Sequence, residues 1–196
     1  MIRSLLHVGL TVPDLEVGKS FYELFGLQAH VRGNDVVMRC EGRDMDQIRL
    51  MQGPVKKLAY VCLGTNTPGM AALKASLQRE GVALVRSPFG WEEGIWFQDP
   101  HGDWLNVQVA EPALSTLPPA AEINAPGRMR RIGQRACDPS SRQKQARPRR
   151  LGHLIKFSPD VDRSVDFYTR VLGLKVSDRA LDVLAFLRGS AGGDHH

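Results

Sequence analysis

Six histidines are the residues of this chain best suited to acid–base or metal chemistry, because imidazole titrates near neutral pH and also binds metal ions. They are His7, His30, His101, His153, His195 and His196. The last two are sequence neighbours, so in a strand only one of them can point to a given side. The three cysteines (Cys40, Cys62 and Cys137) have no metal-binding spacing and cannot form a disulfide framework.

A long internal repeat gives two of these histidines equivalent positions. Residues 7–22 align without a gap with residues 153–168 at an offset of 146, and each copy begins with histidine. One residue is then dropped, and Gly26 meets Gly173. A repeat of this length indicates one structural unit used twice.

Each copy has the pattern of a strand, a helix and a further strand. Residues 5–12 alternate apolar and polar side chains, as a half-buried strand does. Asp14 follows a proline and is a natural N-cap, and Gly26 and Gly173 are suited to end the helices. The next strands are predicted at residues 36–40 and 183–187.

A more diverged unit lies between the copies. Its pattern predicts a helix at 68–80 and a turn at Asp99-Pro-His-Gly102. Strands are predicted at 57–63, 82–85, 94–97 and 104–109. Together the units predict an α+β fold of two βαβββ modules, followed by a third module that is cut short.

The positive charge of the chain is concentrated in one segment. Residues 127–150 hold nine Lys and Arg against one acid, or +8, whereas the remaining 17 basic and 20 acidic residues give −3. This segment has few large apolar residues and is typical of a solvated linker. A nucleic-acid-binding arm is the alternative, but no aromatic side chain is interleaved with the arginines for base stacking.

Length and composition exclude several classes of protein. The 196 residues suffice for one large domain or two small ones, and 42% hydrophobic with 24% charged residues is ordinary globular usage. No stretch approaches the ~20 apolar residues of a membrane-spanning helix. The N-terminus turns polar too early for a signal peptide, so we expect a reduced, cytoplasmic protein without a membrane partner.

The two copies of the repeat (HVGLTVPDLEVGKSFY at 7–22 and HLIKFSPDVDRSVDFY at 153–168) and the DPxG turn resemble the vicinal oxygen chelate superfamily of glyoxalases, bleomycin-resistance proteins and extradiol dioxygenases. The tandem arrangement resembles the two-domain extradiol catechol dioxygenases. The resemblance implies paired βαβββ modules that form a cup-shaped mixed sheet. It divides the chain into a complete N-terminal domain without metal (1–112), a basic linker (113–149) and the first, incomplete module of a catalytic domain (150–196).

The resemblance also implies the chemistry. Two histidines and one carboxylate would hold Fe(II), with Mn(II) as an alternative, while a catecholic substrate and O2 take the open positions. His153 matches the first metal ligand. His196 matches an acid–base histidine, and its neighbour His195 would face away. The alternatives are a structural histidine on a sheet face at 153 and the stub of a purification tag at 195–196.

The first copy departs from the metal-binding pattern. His7 stands at the ligand position, but the matching position on the next module is approximately Lys57, and Asn106 stands where glutamate is expected. We therefore expect a metal-free structural domain in which His7 is structural. His30 and His101 are expected at the surface.

The second histidine and the glutamate ligand of the catalytic domain would lie beyond residue 196. The sequence therefore predicts a truncated extradiol dioxygenase of aromatic catabolism that is inactive as the isolated chain. Two alternatives stay open: a metal-free small-molecule binding protein, or another metal enzyme of the superfamily (an isomerase or glutathione transferase). We expect no nucleic-acid partner, and exposed sheet edges favour a homo-oligomer.

Overall fold

The computed structural model describes residues 1–111, 115–117, 124, 126–130, 132–133 and 147–189. The N-terminal elements are β1 (Ser4–Val12), α1 (Leu15–Leu24), β2 (Gln28–Arg32), β3 (Asp35–Arg39), β4 (Asp46–Gln52), β5 (Lys57–Thr65), α2 (Thr67–Arg79), β6 (Ile95–Gln98) and β7 (Trp104–Val109). The C-terminal elements are α3 (Val161–Asp166), a π-helical turn (Phe167–Val171), β8 (Lys175–Ala180) and β9 (Leu184–Arg188).

The N-terminal strands form one mixed sheet in the order β2-β3-β4-β1-β5-β7-β6. Strand β1 pairs in parallel with β4 and antiparallel with β5, and β5 pairs in parallel with β7. The β1–β5 ladder therefore joins two modules in one sheet, which confirms the predicted α+β class. Strands β8 and β9 form a separate antiparallel pair.

Side-chain caps start all three α-helices. The carboxylates of Asp14 and Asp160 accept hydrogen bonds from the backbone N–H three residues later, at 3.0 and 2.9 Å. Asn66 does the same for α2 at 2.9 Å. Gly26 and Gly173 follow the helices with φ of 88° and 74°, a conformation that favours glycine, and this confirms the predicted helix ends. None of the described helices is long and apolar enough to cross a membrane.

The π-helical turn lies where the two copies of the repeat differ in length. Tyr22 and Gly26 are four residues apart, whereas Tyr168 and Gly173 are five residues apart. A π-helical turn takes up one additional residue without ending the helix. The extra residue of the second copy is therefore absorbed inside Phe167–Val171.

Residues 151–158 differ from the predicted strand, because they form no ladder with any described residue. Their counterpart β1 is held by β4 and β5 on either side. The counterpart of β4 would follow β9 and lies outside the described residues, and no counterpart of β5 occurs within the 196 residues. The strand predicted at 82–85 is also wrong, since it reduces to an isolated bridge between Val85 and Trp96.

The end of the C-terminal helix packs into the core of the N-terminal domain. Phe167, Val171 and Leu172 are buried in one cluster with Leu73 of α2. The backbone N–H of Ile2 also donates to the carbonyl of Leu172 at 3.3 Å. Burial of each such side chain stabilises the interface by about 1.5–3 kcal/mol. The C-terminal module is therefore docked on the α2 side of the sheet.

Parts of the basic linker lie against the loop between β3 and β4. The backbone N–H of Thr116 donates to the carbonyl of Gly42 at 2.8 Å. Arg147 forms an ion pair with Glu41 at 3.3 Å. Because both contacts reach the same loop, the two ends of the linker meet on one side of the N-terminal domain.

Candidate functional site

His7 lies on β1, on the sheet face that α1 and α2 do not cover. Its Nε2 is 3.1 Å from the hydroxyl of Tyr60, to which it is hydrogen-bonded. Burial lowers the pKa of His7 to about 4, and the positive charge of Arg49 adds to this against the opposing charge of Asp46. Burial likewise raises the pKa of Tyr60. Both partners are therefore neutral at pH 7, as in a structural hydrogen bond.

The register of the sheet shows that Lys57, the residue matched to a second metal ligand, does not pair with His7. Lys57 is exposed at the start of β5 and lies opposite Thr11, far along the strand from His7. The β5 residue paired with His7 is Cys62, which in turn pairs with Asn106 of β7.

The side chains of Cys62 and Asn106, which lie beside His7, are hydrogen-bonded to other groups of the protein. The Cys62 thiol donates to Oδ1 of Asn106 at 3.1 Å. The amide nitrogen of Asn106 donates to the carbonyls of Glu93 and Ile95 at 2.8 and 3.2 Å. A thiol, an amide and one neutral imidazole do not make a site for a divalent cation. This arrangement supports a domain without metal.

Aromatic side chains cover the rest of this face. Tyr60, Phe89, Trp91 and Trp96 contact one another with ring centroids 4.8 to 5.5 Å apart. The guanidinium of Arg49 lies 4.8 Å from the centre of the Trp91 ring. The second module thus fills the face with packed rings, a cluster that no sequence motif indicated.

The low pKa of His7 leads to a stability prediction. The imidazole takes up a proton near pH 6.5 when unfolded and near pH 4 when folded, so stability is complete above pH 6.5 and is lost as the pH falls towards 4. We expect a loss of about 3 kcal/mol in the free energy of unfolding over this range. Urea titrations at pH 7 and pH 4 measure it. The free energy of unfolding should fall less between pH 7 and pH 4 in His7→Gln than in the unchanged protein. An identical fall in both proteins would contradict the burial of a neutral imidazole.

His153 lies in residues 151–158 and is exposed, as are Ile155 at 81% and Phe157 at 95%. Side chains along an extended segment alternate between two sides. Lys156 and Ser158, on the other side, contact the helix region, for Ser158 and Ser164 are hydrogen-bonded at 2.7 Å. His153 therefore lies on the side of this segment opposite Lys156 and Ser158.

The difference in exposure between the two histidines follows from what covers them. Tyr60 and Trp91 of the second module cover His7, whereas the described residues include no module paired with the third one by a strand ladder. His195 and His196 lie outside the described residues. His30 is exposed as expected, whereas His101 is partly buried, with no hydrogen-bond partner for its Nε2 among the described residues.

A cavity of about 430 Å³ separates residues 151–158, α3 and β9. It is lined by the repeat counterparts of the residues that form the core around α1, namely Lys156, Val161, Tyr168, Val183 and Ala185. In the first module Ile48 and Leu50 of β4 fill this place. At an offset of 147 the counterpart of β4 begins at residue 193, outside the described residues. Among the described residues no strand takes this place, and Ile2, Leu5, Val61 and Leu63 of the N-terminal domain also line the cavity.

The described residues hold one of the residues expected to bind or act on the metal, His153. Among them, no group of three His, Cys, Asp or Glu side chains lies close enough together to hold a metal ion. The described part of the chain therefore does not form a metal site by itself.

Comparisons with known proteins agree with the repeat and the fold. Residues 150–196 match the model of the Glyoxalase/Bleomycin resistance protein/Dioxygenase superfamily. Metapyrocatechase 2 of Cupriavidus necator is 36% identical over 197 residues, which span 100% of this chain and 60% of that protein. Biphenyl-2,3-diol 1,2-dioxygenase of Paraburkholderia xenovorans (strain LB400) is 27% identical over 188 residues, 90% of this chain and 57% of that protein.

Solved structures share the fold at lower identity. A Mn(II)-bound glyoxalase from Novosphingobium aromaticivorans superposes with a TM-score of 0.73 at 22% identity, over 95% of this chain and 58% of that one. BphC, a halotolerant catechol dioxygenase, gives 0.65 at 20% identity, over 95% and 61%. The chain spans less than two thirds of the length of each of these relatives. By its repeated module, its mixed sheet and these similarities, the chain resembles the glyoxalase/bleomycin resistance protein/dioxygenase superfamily, whose model matches residues 150–196.

Proposed function

We propose that the chain serves extradiol ring cleavage, in which an aromatic vicinal diol reacts with O2 and the ring opens beside the two hydroxyl groups. The observation that carries the proposal is the 36% identity to Metapyrocatechase 2 along the whole chain. The diol named for the second relative agrees with a catecholic substrate.

The domains would divide this work. Residues 1–112 would be a support without metal, in line with the aromatic cluster and the neutral hydrogen bond of His7. Residues 150–196 would be the first module of the catalytic domain, joined by the linker 113–149. Phe167 of the C-terminal module is buried against the core beside α2, and this contact is in line with a structural role for the first domain.

His153 is our candidate metal ligand, with His196 as acid or base and His195 facing away. The metal would be Fe(II), with Mn(II) as the alternative. When bound, it supplies a centre that holds the diol and O2 together and lets electrons pass between them. The described residues do not complete a ligand set for this metal.

Two further expectations accompany this function. We place the protein in the cytoplasm, in line with the free, buried thiols of Cys40 and Cys62; Cys137 lies outside the described residues. Exposed sheet edges favour a homo-oligomer, and we expect no nucleic-acid partner.

The test joins this chain to the part of Metapyrocatechase 2 that lies outside the 60% of that protein that the chain spans. Oxygen uptake with catechol is measured for the chain alone and for this chimera, both tag-free and supplied with Fe(II). We expect uptake by the chimera and none by the chain alone. Uptake by the chain alone, lost in His153→Ala, would show that no further module is needed; a folded, inactive chimera would count against the function.

A further inference from the structure

Asp99 is a carboxylate buried between the two domains. It starts the turn between β6 and β7, and its side chain has 0% exposed surface. Within the turn it accepts hydrogen bonds from the backbone N–H groups of His101 and Asp103 at 2.9 and 3.0 Å. These two bonds account for one carboxylate oxygen, Oδ1, and leave Oδ2 for other partners.

The partners of Oδ2 both come from the C-terminal module. The Lys156 ammonium forms a short ion pair with it, and the Tyr168 hydroxyl donates to it at 3.2 Å. Lys156 is itself only 16% exposed and also pairs with Asp103 at 2.6 Å. A buried charge is costly unless it is paired. Here the N-terminal domain supplies the carboxylates and the C-terminal module supplies the ammonium that pairs with them.

The repeat shows that Lys156 is a departure from the packing pattern. At the offset of 146 its counterpart is Leu10, which packs in the apolar core around α1. An aliphatic residue is therefore sufficient for packing at this position. The charge of Lys156 is instead paired with the carboxylate of Asp99, a partner that the repeat alone does not indicate.

The contact with Asp99 lies on the side of residues 151–158 opposite His153, the side on which Leu154 and Ser158 also make contacts. Strand β1 has its register set by ladders with β4 and β5, whereas 151–158 has no ladder with described residues. A slip by one residue would exchange the two sides and put His153 on the side that faces Asp99. Lys156 lies on the side opposite His153, so holding Lys156 fixes the direction of His153.

We propose that Asp99 is a positioning residue of the N-terminal domain: by holding Lys156 and Tyr168 it fixes the facing of residues 151–158 and so presents His153 on the side opposite Lys156. What His153 does there rests on the proposed function, but the anchoring does not. In this proposal the N-terminal domain (1–112) orients residues 151–158 of the C-terminal module.

The charges around Asp99 support this role. Burial alone would raise the pKa of Asp99, but the hydrogen bond and charge of Lys156, with the N–H groups of Asp103 and His101, hold it below its ordinary value. The same carboxylate and burial raise the pKa of Tyr168, which stays protonated and able to donate. The anchor is therefore complete at neutral pH.

The test labels cysteines placed on the two sides of the segment in the full chain, with Cys137→Ser as background. Leu154→Cys lies on the partly buried side and Ile155→Cys on the exposed side. With Asp99 present, we expect a thiol reagent to label position 155 at least about tenfold faster than position 154, the scale of a hydrogen bond to a charged group. Asp99→Asn keeps an acceptor for the turn but removes the charge, and the ratio should fall towards one.

Three further variants separate positioning from general stability. Lys156→Arg should keep most of the labelling ratio, because guanidinium also pairs with carboxylate, whereas Lys156→Leu should lose it. Glu80→Gln removes the exposed ion pair with Arg170 at the same interface and is the matched control, expected to leave the ratio unchanged. If Asp99→Asn fails to fold, the two Lys156 variants decide the matter with Asp99 intact.

An unchanged ratio in both Asp99→Asn and Lys156→Leu would overturn the anchor. Equal loss in Glu80→Gln would also overturn it, since any weakening of the interface would then suffice. The labelling needs no metal and no substrate. A failed oxygen-uptake experiment with intact labelling differences would thus reject the proposed function and leave the positioning role standing.

Discussion

His153→Ala should lower catechol-dependent oxygen uptake by the Fe(II)-supplied chimera to the level of the iron-free protein. A two-histidine, one-carboxylate site has three protein ligands, and loss of one leaves too few to hold the metal. Bound iron, measured after desalting, should fall together with turnover. His153 is exposed in the described part of the chain.

His30→Ala is the matched control for this prediction. His30 is an exposed histidine on β2 and has no part in the proposed site. It should keep both iron and turnover. Unchanged iron content and turnover in His153→Ala would remove His153 from the metal site and leave the fold without the assigned ligand.

Gly9→Ala should destabilise the N-terminal domain by about 2–3 kcal/mol. A Cβ at residue 9 would lie 2.0 Å from Cε1 of Tyr60, so the buried ring must move. That ring packs against Trp91 and Trp96 and carries the hydroxyl bonded to His7. The free energy of unfolding from urea titration measures the change.

The control for this substitution is Gly152→Ala. No atom lies within 4 Å of a Cβ built at residue 152, and its φ is outside the left-handed region. Its free energy of unfolding should stay within about 0.5 kcal/mol of the unchanged protein. If Gly9→Ala changed the free energy of unfolding as little as Gly152→Ala, the contact between β1 and the Tyr60 ring would not be a close one.

The repeat made much of the architecture predictable. Asp14 and Gly26 limit α1 by capping chemistry that depends on a few local residues. Strand β7, at Trp104–Val109, lies where it was predicted. Strands β2 and β4 were missed. In β2 only Ala29 is partly buried, so the sequence has little apolar alternation to detect.

The site was harder to derive because it depends on register. Strand β1 has irregularities against β5 between Leu5 and His7 and between Gly9 and Leu10. Each shifts the pairing by one residue, and no sequence signal marks it. The pairing partner of His7 is Cys62, whereas Lys57, which was matched to a ligand position, pairs with Thr11.

The contact between Asp99 and Lys156 could have been suspected from the sequence in one respect only. A lysine at the position of Leu10 in an otherwise matching repeat indicates a partner for the charge. It does not say which carboxylate, because residues 99 and 156 are brought together by the docking of two modules. That docking depends on the burial of Phe167 and Leu172, which is a tertiary property.

The most direct test of the central claim is the product made by the Fe(II)-supplied chimera from catechol under ¹⁸O2. Cleavage beside the diol breaks the bond between a hydroxyl-bearing carbon and its unsubstituted neighbour, which leaves one carboxylate and one aldehyde. We expect that product, with both oxygen atoms of O2 incorporated by mass spectrometry. A dicarboxylate, formed by cleavage between the two hydroxyl-bearing carbons, or turnover of catechol without consumption of O2 would contradict the assignment.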